Sequence, residues 1–290
     1  MGEEQKERFH VQWYPGHMTK TRRQIEADLK NVDMVAELID ARIPLASRNP
    51  DIDTIVGDKP RLVILNRADQ ADPAGNRAWE SYFKARGIFV LETDAKTGTG
   101  ISRFSATIKE LLKDKIAGWR AKGQVGRTIR VMVVGVPNVG KSTFINKVAK
   151  RKSAKAGDRP GVTRGKQWVA VDAGLDLLDT PGILWPKFED ETIGLHLAFT
   201  GAVKDEIMDV ETLACRLMIL LAQRYPAALL ERYKVEDAKE LEGWQILTKA
   251  AQKRGFLVSG GEVDTERMAN ILLDEFRGGK LGRVTLEWPE

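Results

Sequence analysis

Residues 129–150 run IRVMVVGVPNVGKSTFINKVAK. An apolar, β-branched stretch ends in a glycine-bounded loop, GVPNVGKS at 135–142, and a segment with helical spacing follows it. Strand, glycine loop and helix in that order are the context a phosphate-binding loop requires. The backbone N–H groups of Gly135, Asn138, Val139, Gly140 and Thr143 and the helix N-terminus cradle phosphates. Lys141 brings a point charge to the outer phosphates, and Ser142 offers a hydroxyl to magnesium. The alternative is a chance glycine loop.

Working outward, RLVILNRAD at 61–69 is a buried-strand run ending in Asn66-Arg67-Ala68-Asp69. Asp69 can accept from both N1 and the exocyclic amino group of guanine, donors that adenine lacks. A buried carboxylate left unpaired there rejects adenine. Alone, the tetrapeptide would be an ordinary turn; beside a phosphate loop it reads as a guanine-selecting site. Downstream, LDLLDTPG at 175–182 ends a strand with Asp179, positioned to hold magnesium through water, and Gly182, whose N–H can meet a terminal phosphate. Between them, GDRPGVTRG at 157–165 contains Thr163, a candidate magnesium ligand in a switch loop.

Further strand-like runs occur at 34–40 (MVAELID) and 88–93 (IFVLET), with helical spacing over 76–86 and 101–115. Strand and helix alternate, so the expected class is α/β with a mostly parallel sheet. The basic, glycine-punctuated segment AGWRAKGQVGR at 117–127 reads as a connection between two halves, and 169–182 as a two-stranded hairpin. Beyond residue 188 amphipathic helices are expected at 210–224, 243–254 and 265–277. This predicts a nucleotide-binding domain over 1–189, opened by a basic helix near residue 20, and a small all-helical domain over 190–290.

The 290 residues carry 42% hydrophobic and 30% charged side chains, enough apolar content for a real core without staples. The single cysteine, Cys215, excludes an internal disulfide and reads as a small buried hydrophobe. The charged N-terminus lacks a secretory core, and no run approaches 18 apolar residues, so a cytoplasmic protein without a membrane anchor is expected. Charge is uneven: from residue 190 onward 13 Lys/Arg stand against 18 Asp/Glu, whereas residues 113–166 hold 15 basic and 2 acidic residues. Such clustering points to a polyanionic partner, with a solvated lysine-rich face as the plain alternative.

These motifs look like the five signatures of the translation-factor-related GTPases running in the order fourth, fifth, first, second, third, which marks a circularly permuted P-loop GTPase. With WYPGHM at 13–18, DARIPLASRNP at 40–50 and LLDTPGILWPKFED at 177–190, the whole chain resembles the bacterial ribosome biogenesis GTPase A family. The resemblance implies GTP/GDP binding with magnesium, and GTP hydrolysis coupled to a late step of large (50S) ribosomal subunit assembly. The implied partners are rRNA and ribosomal proteins, with a helical C-terminal domain contacting RNA. Neither DNA nor a membrane is an expected partner, and a monomer is expected. Two departures stand out. Arg67 occupies a position that usually holds lysine, and Thr93-Asp94-Ala95 replaces the usual fifth motif, leaving only the Ala95 N–H to meet the guanine carbonyl.

Ile183 stands where many GTPases keep a water-orienting glutamine, so free turnover should be slow. Two residues are candidates to compensate. His17 is the family's proposed catalytic residue, able to polarise water, although RNA contact or helix capping is the bland reading. Asn138, by resemblance, holds a potassium ion beside the phosphates. A small-subunit permuted GTPase is disfavoured, since only 65 residues precede Asn66 and no zinc cluster is available. A GTP-dependent binding module with incidental hydrolysis stays open, because Ile183 fits that reading too.

Overall fold

A computed structural model describes residues 18–149, 167–172, 174–182, 190–203 and 209–290. Six strands form one sheet in the order β3-β2-β1-β4-β6-β5: β1 (Met34–Asp40), β2 (Arg61–Asn66), β3 (Phe89–Glu92), β4 (Ile129–Val134), β5 (Gln167–Asp172) and β6 (Leu175–Asp179). All neighbours run parallel except β5, which pairs antiparallel with β6 as the expected hairpin. Every residue of β1 is buried. A central parallel strand is covered on both faces, which is why its sequence is nearly continuous in apolar residues rather than alternating.

Helices flank the sheet. α1 (Met18–Leu29) inserts Ile25 and Leu29 beside Met132 and Leu178, α2 (Ile52–Val56) lies near them, and α3 (Pro73–Ala85) carries Trp79 and Phe83 onto β2. The helix expected over 101–115 is broken: a 3-10 turn precedes α4 (Phe104–Leu111), and α5 (Lys113–Ala121) starts afresh after Leu112. Phe104, Ile108 and Leu112 are anchored in the core, whereas α5 buries no residue fully and turns away along the surface. The glycine-punctuated connection expected over 117–127 is therefore helical as far as Ala121. Gly118 is tolerated inside the helix, and the chain leaves it through Gly123 at φ +76°.

The phosphate-loop helix is α6 (Lys141–Val148). Beyond residue 190 come α7 (Glu191–Phe199), α8 (Val210–Arg224), α9 (Pro226–Tyr233), α10 (Gly243–Lys253) and α11 (Thr265–Arg277). Three of these answer the expected helices. α7 has no clean apolar stripe, being buried on most sides, and α9 arises because Pro226 starts a new helix where α8 cannot continue. α8 and α9 bend by 115°, and among the described residues no single helix is long and apolar enough to cross a membrane. Cys215 is half-buried in α8, packed against the core, and burial raises its thiol pKa.

One apolar cluster runs from the sheet residues Leu38, Ile64 and Val133 into the helical residues Leu217, Leu247 and Leu272. Polar contacts fasten the same join. The DARIPLAS loop after β1 supplies Arg42, almost fully buried, whose fork donates to Asp40 at 2.7 and 2.9 Å and to the Phe276 carbonyl at 2.8 Å. The last segment returns to the sheet side: Leu286 N–H donates to the Arg42 carbonyl, Val284 N–H to Gln70, and the Trp79 indole N–H to the Glu287 carbonyl. The Glu287 carboxylate accepts from the Leu45 and Ala46 N–H groups and meets His196 Nδ1 at 2.7 Å.

Within the helical part, burial alone would raise the pKa of Glu275. Hydrogen bonds from Arg232 and Tyr233 and the charge of Arg254 overcome that and hold it at about 2. Two outcomes are expected. Arg42→Met strands Asp40 and should destabilise the fold by roughly 3–5 kcal/mol in urea unfolding. Glu275 is stabilising when ionised, so its contribution is complete above pH 4.5 and is lost as pH falls towards 2. Glu275→Gln should therefore flatten the acid limb of the stability profile by about 2 kcal/mol.

Candidate nucleotide site

Because β3, β2, β1, β4 and β6 are parallel, the segments after β2, β3, β4 and β6 emerge at the same edge of the sheet. The strand order reverses between β1 and β4, and ligands of open α/β sheets sit in the crevice at such a point. NRAD, the Thr93-Asp94-Ala95 segment, the phosphate loop and DTPG are thus gathered from positions more than a hundred residues apart.

Asn66 ties three of them. Its Nδ2 donates to the Val139 carbonyl in the phosphate loop at 2.8 Å, and its Oδ1 accepts from the Ala95 N–H at 3.1 Å and the Thr93 hydroxyl at 3.3 Å. The approach is so close that a Cβ on Gly140, at φ +99°, would lie 2.6 Å from Asn66 Nδ2. Only glycine fits there. The Ala95 N–H, the group expected to meet a guanine carbonyl, donates to Asn66 Oδ1 and so gives that buried amide oxygen a donor.

Arg67 and Asn138 both adopt left-handed backbone, at φ +58° and +57°, which non-glycine residues keep only where their surroundings enforce it. Arg67 donates to the Asn138 carbonyl at 3.1 Å, and its second arm reaches the Arg277 carbonyl at the end of α11, also at 3.1 Å. Its Nε lies 3.7 Å from Asp40. The stem expected to lie along a purine thus ends in a bridge to the helical part, a role lysine with one ammonium cannot duplicate. Asp69 is exposed rather than buried as expected, so discrimination against adenine requires the base itself to cover the carboxylate. Asn138, the expected potassium ligand, donates its Nδ2 to the Gly201 carbonyl at 2.8 Å, which leaves Oδ1 as its acceptor.

At the phosphate end, Lys141 is buried, and among the described residues its Nζ makes one long hydrogen bond, 3.4 Å to the Gly135 carbonyl. Burial drags its pKa down to about 8, with Asp179 pulling the other way. Burial likewise raises the pKa of Asp179, opposed by Lys141, and Asp179 Oδ1 is buried without a partner among the described residues. A desolvated ammonium and an orphaned carboxylate oxygen are costly in an apolar interior. They fit a site that takes phosphate and a hydrated magnesium ion, which binds through few carboxylates plus phosphates and water. Ser142 and Thr143 are half-exposed on the first turn of α6. Gly182 lies against the loop, where a Cβ would sit 2.9 Å from Pro137. His17, Thr163 and Ile183 lie outside the described residues.

The comparisons agree with this arrangement. A family model described as "50S ribosome-binding GTPase" matches residues 130–252. Ribosome biogenesis GTPase A of Bacillus cereus is 48% identical over 280 residues, covering 97% of this chain and 94% of the relative. The chain belongs to the ribosome biogenesis GTPase A family. The Thermotoga maritima member is 33% identical over 97% of this chain and 95% of its own. The GDP-bound structure of TM YlqF superposes with a TM-score of 0.68 at 30% identity, over 92% of this chain and 99% of that one. Like its family, the chain is a circularly permuted P-loop GTPase that binds guanine nucleotide with magnesium and hydrolyses GTP.

Sequence reasoning missed Arg42, Arg277, Gly201 and Glu287, which hold the loops to the helical part. An arginine in the apolar turn DARIPLAS was the one available signal; Glu287 carried none. Asn66→Ala removes three buried hydrogen bonds and orphans their partners. GDP affinity should fall about a hundredfold or more, read by titration with a fluorescent GDP analogue, with the unfolding midpoint as control.

Proposed function

We propose that this GTPase acts late in assembly of the large (50S) ribosomal subunit, binding the immature particle in the GTP state and hydrolysing GTP on it. The observation that carries the reading is the pair of hydrogen bonds from the nucleotide loops, Arg67 to Arg277 and Asn138 to Gly201, into the helical part. Nucleotide-dependent movement of either loop changes how residues 190–290 are held. In this proposal 1–189 form the GTPase unit and 190–290 a helical unit that contacts rRNA and ribosomal protein. Relatives named for ribosome biogenesis and for mitochondrial ribosome association support a ribosomal partner. The protein acts as a cytoplasmic monomer.

At the site, Asp69 selects guanine, and Arg67 covers the purine. Lys141, whose desolvated ammonium is relieved by an anion, holds the outer phosphates together with the N–H groups of the loop. Ser142, Asp179 and Thr163 are the residues for magnesium, which neutralises developing phosphate charge when bound. Gly182 senses the terminal phosphate. With Ile183 unable to orient water, His17 positions it, and potassium held by Asn138 Oδ1 supplies further positive charge.

GTP turnover in potassium buffer should rise by orders of magnitude with purified large subunits, with ATP inert. Replacing potassium by sodium should slow it, and Asn138→Ala should abolish that difference. Intact particle binding without acceleration would instead make this a nucleotide-sensing binding module.

A further inference from the structure

At the end of β4 opposite the phosphate loop, roughly 20 Å away by strand length, lies an open groove of about 820 Å³ between α4, α5 and the 124–127 turn. Its size is that of a small-ligand cleft, about 300–1,000 Å³. Four of its lining side chains are cationic, Lys109, Lys113, Arg120 and Arg127, and none is a carboxylate. Trp119 lines it as well, with the Arg127 guanidinium 4.3 Å above the indole centroid and Lys115 Nζ 5.5 Å from it.

The surrounding carboxylates leave this charge available. Asp33, buried at the start of β1, pairs with Lys115 at 3.1 Å and more loosely with Arg127 at 3.8 Å. Lys113 meets Glu110, both largely exposed, and Lys109 meets Asp172 at a long 3.7 Å. Exposed pairs of this kind contribute little and exchange readily for a phosphate. Arg120 is exposed and makes no ion pair among the described residues. The GTPase site uses none of these residues.

We infer that this groove holds an unpaired stretch of RNA, one base stacked on the Trp119–Arg127 pair and the flanking phosphates held by Lys113 and Arg120. Concavity and the indole together select this occupant. A duplex buries its base faces and offers only phosphates, which a cleft with an aromatic wall fits poorly, whereas a single strand can splay a base onto an aromatic or guanidinium plane. The ribosomal source of the strand rests on the proposed function; the chemistry of the groove does not.

The test uses the full-length protein and a short fluorescein-labelled oligouridylate, its duplex counterpart and free UMP and GDP as competitors. Trp119→Ala should weaken single-strand binding about tenfold or more, and Trp119→Phe should restore most of it. Lys113→Gln with Arg120→Gln should reduce the slope of log affinity against log salt by about 1.4. Thiouridine-substituted RNA should crosslink within residues 113–127. GDP affinity and basal GTP turnover should be unchanged in all variants, which shows that they fold. Unchanged single-strand affinity in Trp119→Ala, crosslinks confined to other segments, equal binding of the duplex, or displacement by free UMP or GDP would each overturn the inference. None of these results bears on whether large subunits accelerate GTP turnover, so the two readings fail separately.

Discussion

Asp40, at the last position of the central strand, is a carboxylate almost wholly removed from water. Such a group is stable only where fixed positive charge replaces its hydration. Burial alone would raise its pKa, yet Arg42 and Arg67 together hold it below the ordinary carboxylate value. Meeting that requirement organises both sides of the molecule. Arg42 fills the carboxylate and spends its free arm on the carbonyl of Phe276, so the loop after β1 holds the end of α11. Arg67 approaches from the guanine loop and spends its arms on Arg277 and Asn138. One buried anion thereby connects the guanine loop, the phosphate loop and the helical part.

The permuted order of motifs is compatible with this because the sheet, not the chain order, positions the loops. Parallel strands deliver the loops that follow them to the same edge, whichever strand comes first in sequence. Asn66 then locks three of the loops into one unit, and Gly140 and Gly182 permit the close approaches that this packing needs. At the centre, Lys141 and Asp179 attract each other, with incomplete hydrogen bonding among the described residues. The same desolvation that makes them costly in isolation makes phosphate and magnesium favourable partners.

The two ends of the sheet differ in character. The carboxyl end carries preorganised backbone and the buried Lys141 ammonium, suited to a compact phosphate chain. The opposite end presents exposed lysine and arginine around an indole, suited to a flexible polyanion. The helical part is net acidic, with 13 basic against 18 acidic residues from position 190 onward, so the positive charge of the chain is concentrated in the first 189 residues.

The phosphate loop, NRAD and DTPG were legible in the sequence because each is a local signal: a contiguous string whose neighbours already dictate strand, turn or helix. The α/β class was legible for the same reason, since buried parallel strands and amphipathic helices leave their periods in the chain. What only tertiary structure decided are contacts between residues distant in sequence. That Ala95 gives its N–H to Asn66, that Asp69 stands exposed, that Asn138 reaches Gly201 and that Glu287 binds Leu45 and His196 leave no trace in spacing or composition. The break at Leu112 belongs with them, because its cause is where the core ends and not any residue that forbids a helix. Local propensity and motif spelling act over a few residues, whereas hydrogen-bond satisfaction is settled only after the whole chain has packed.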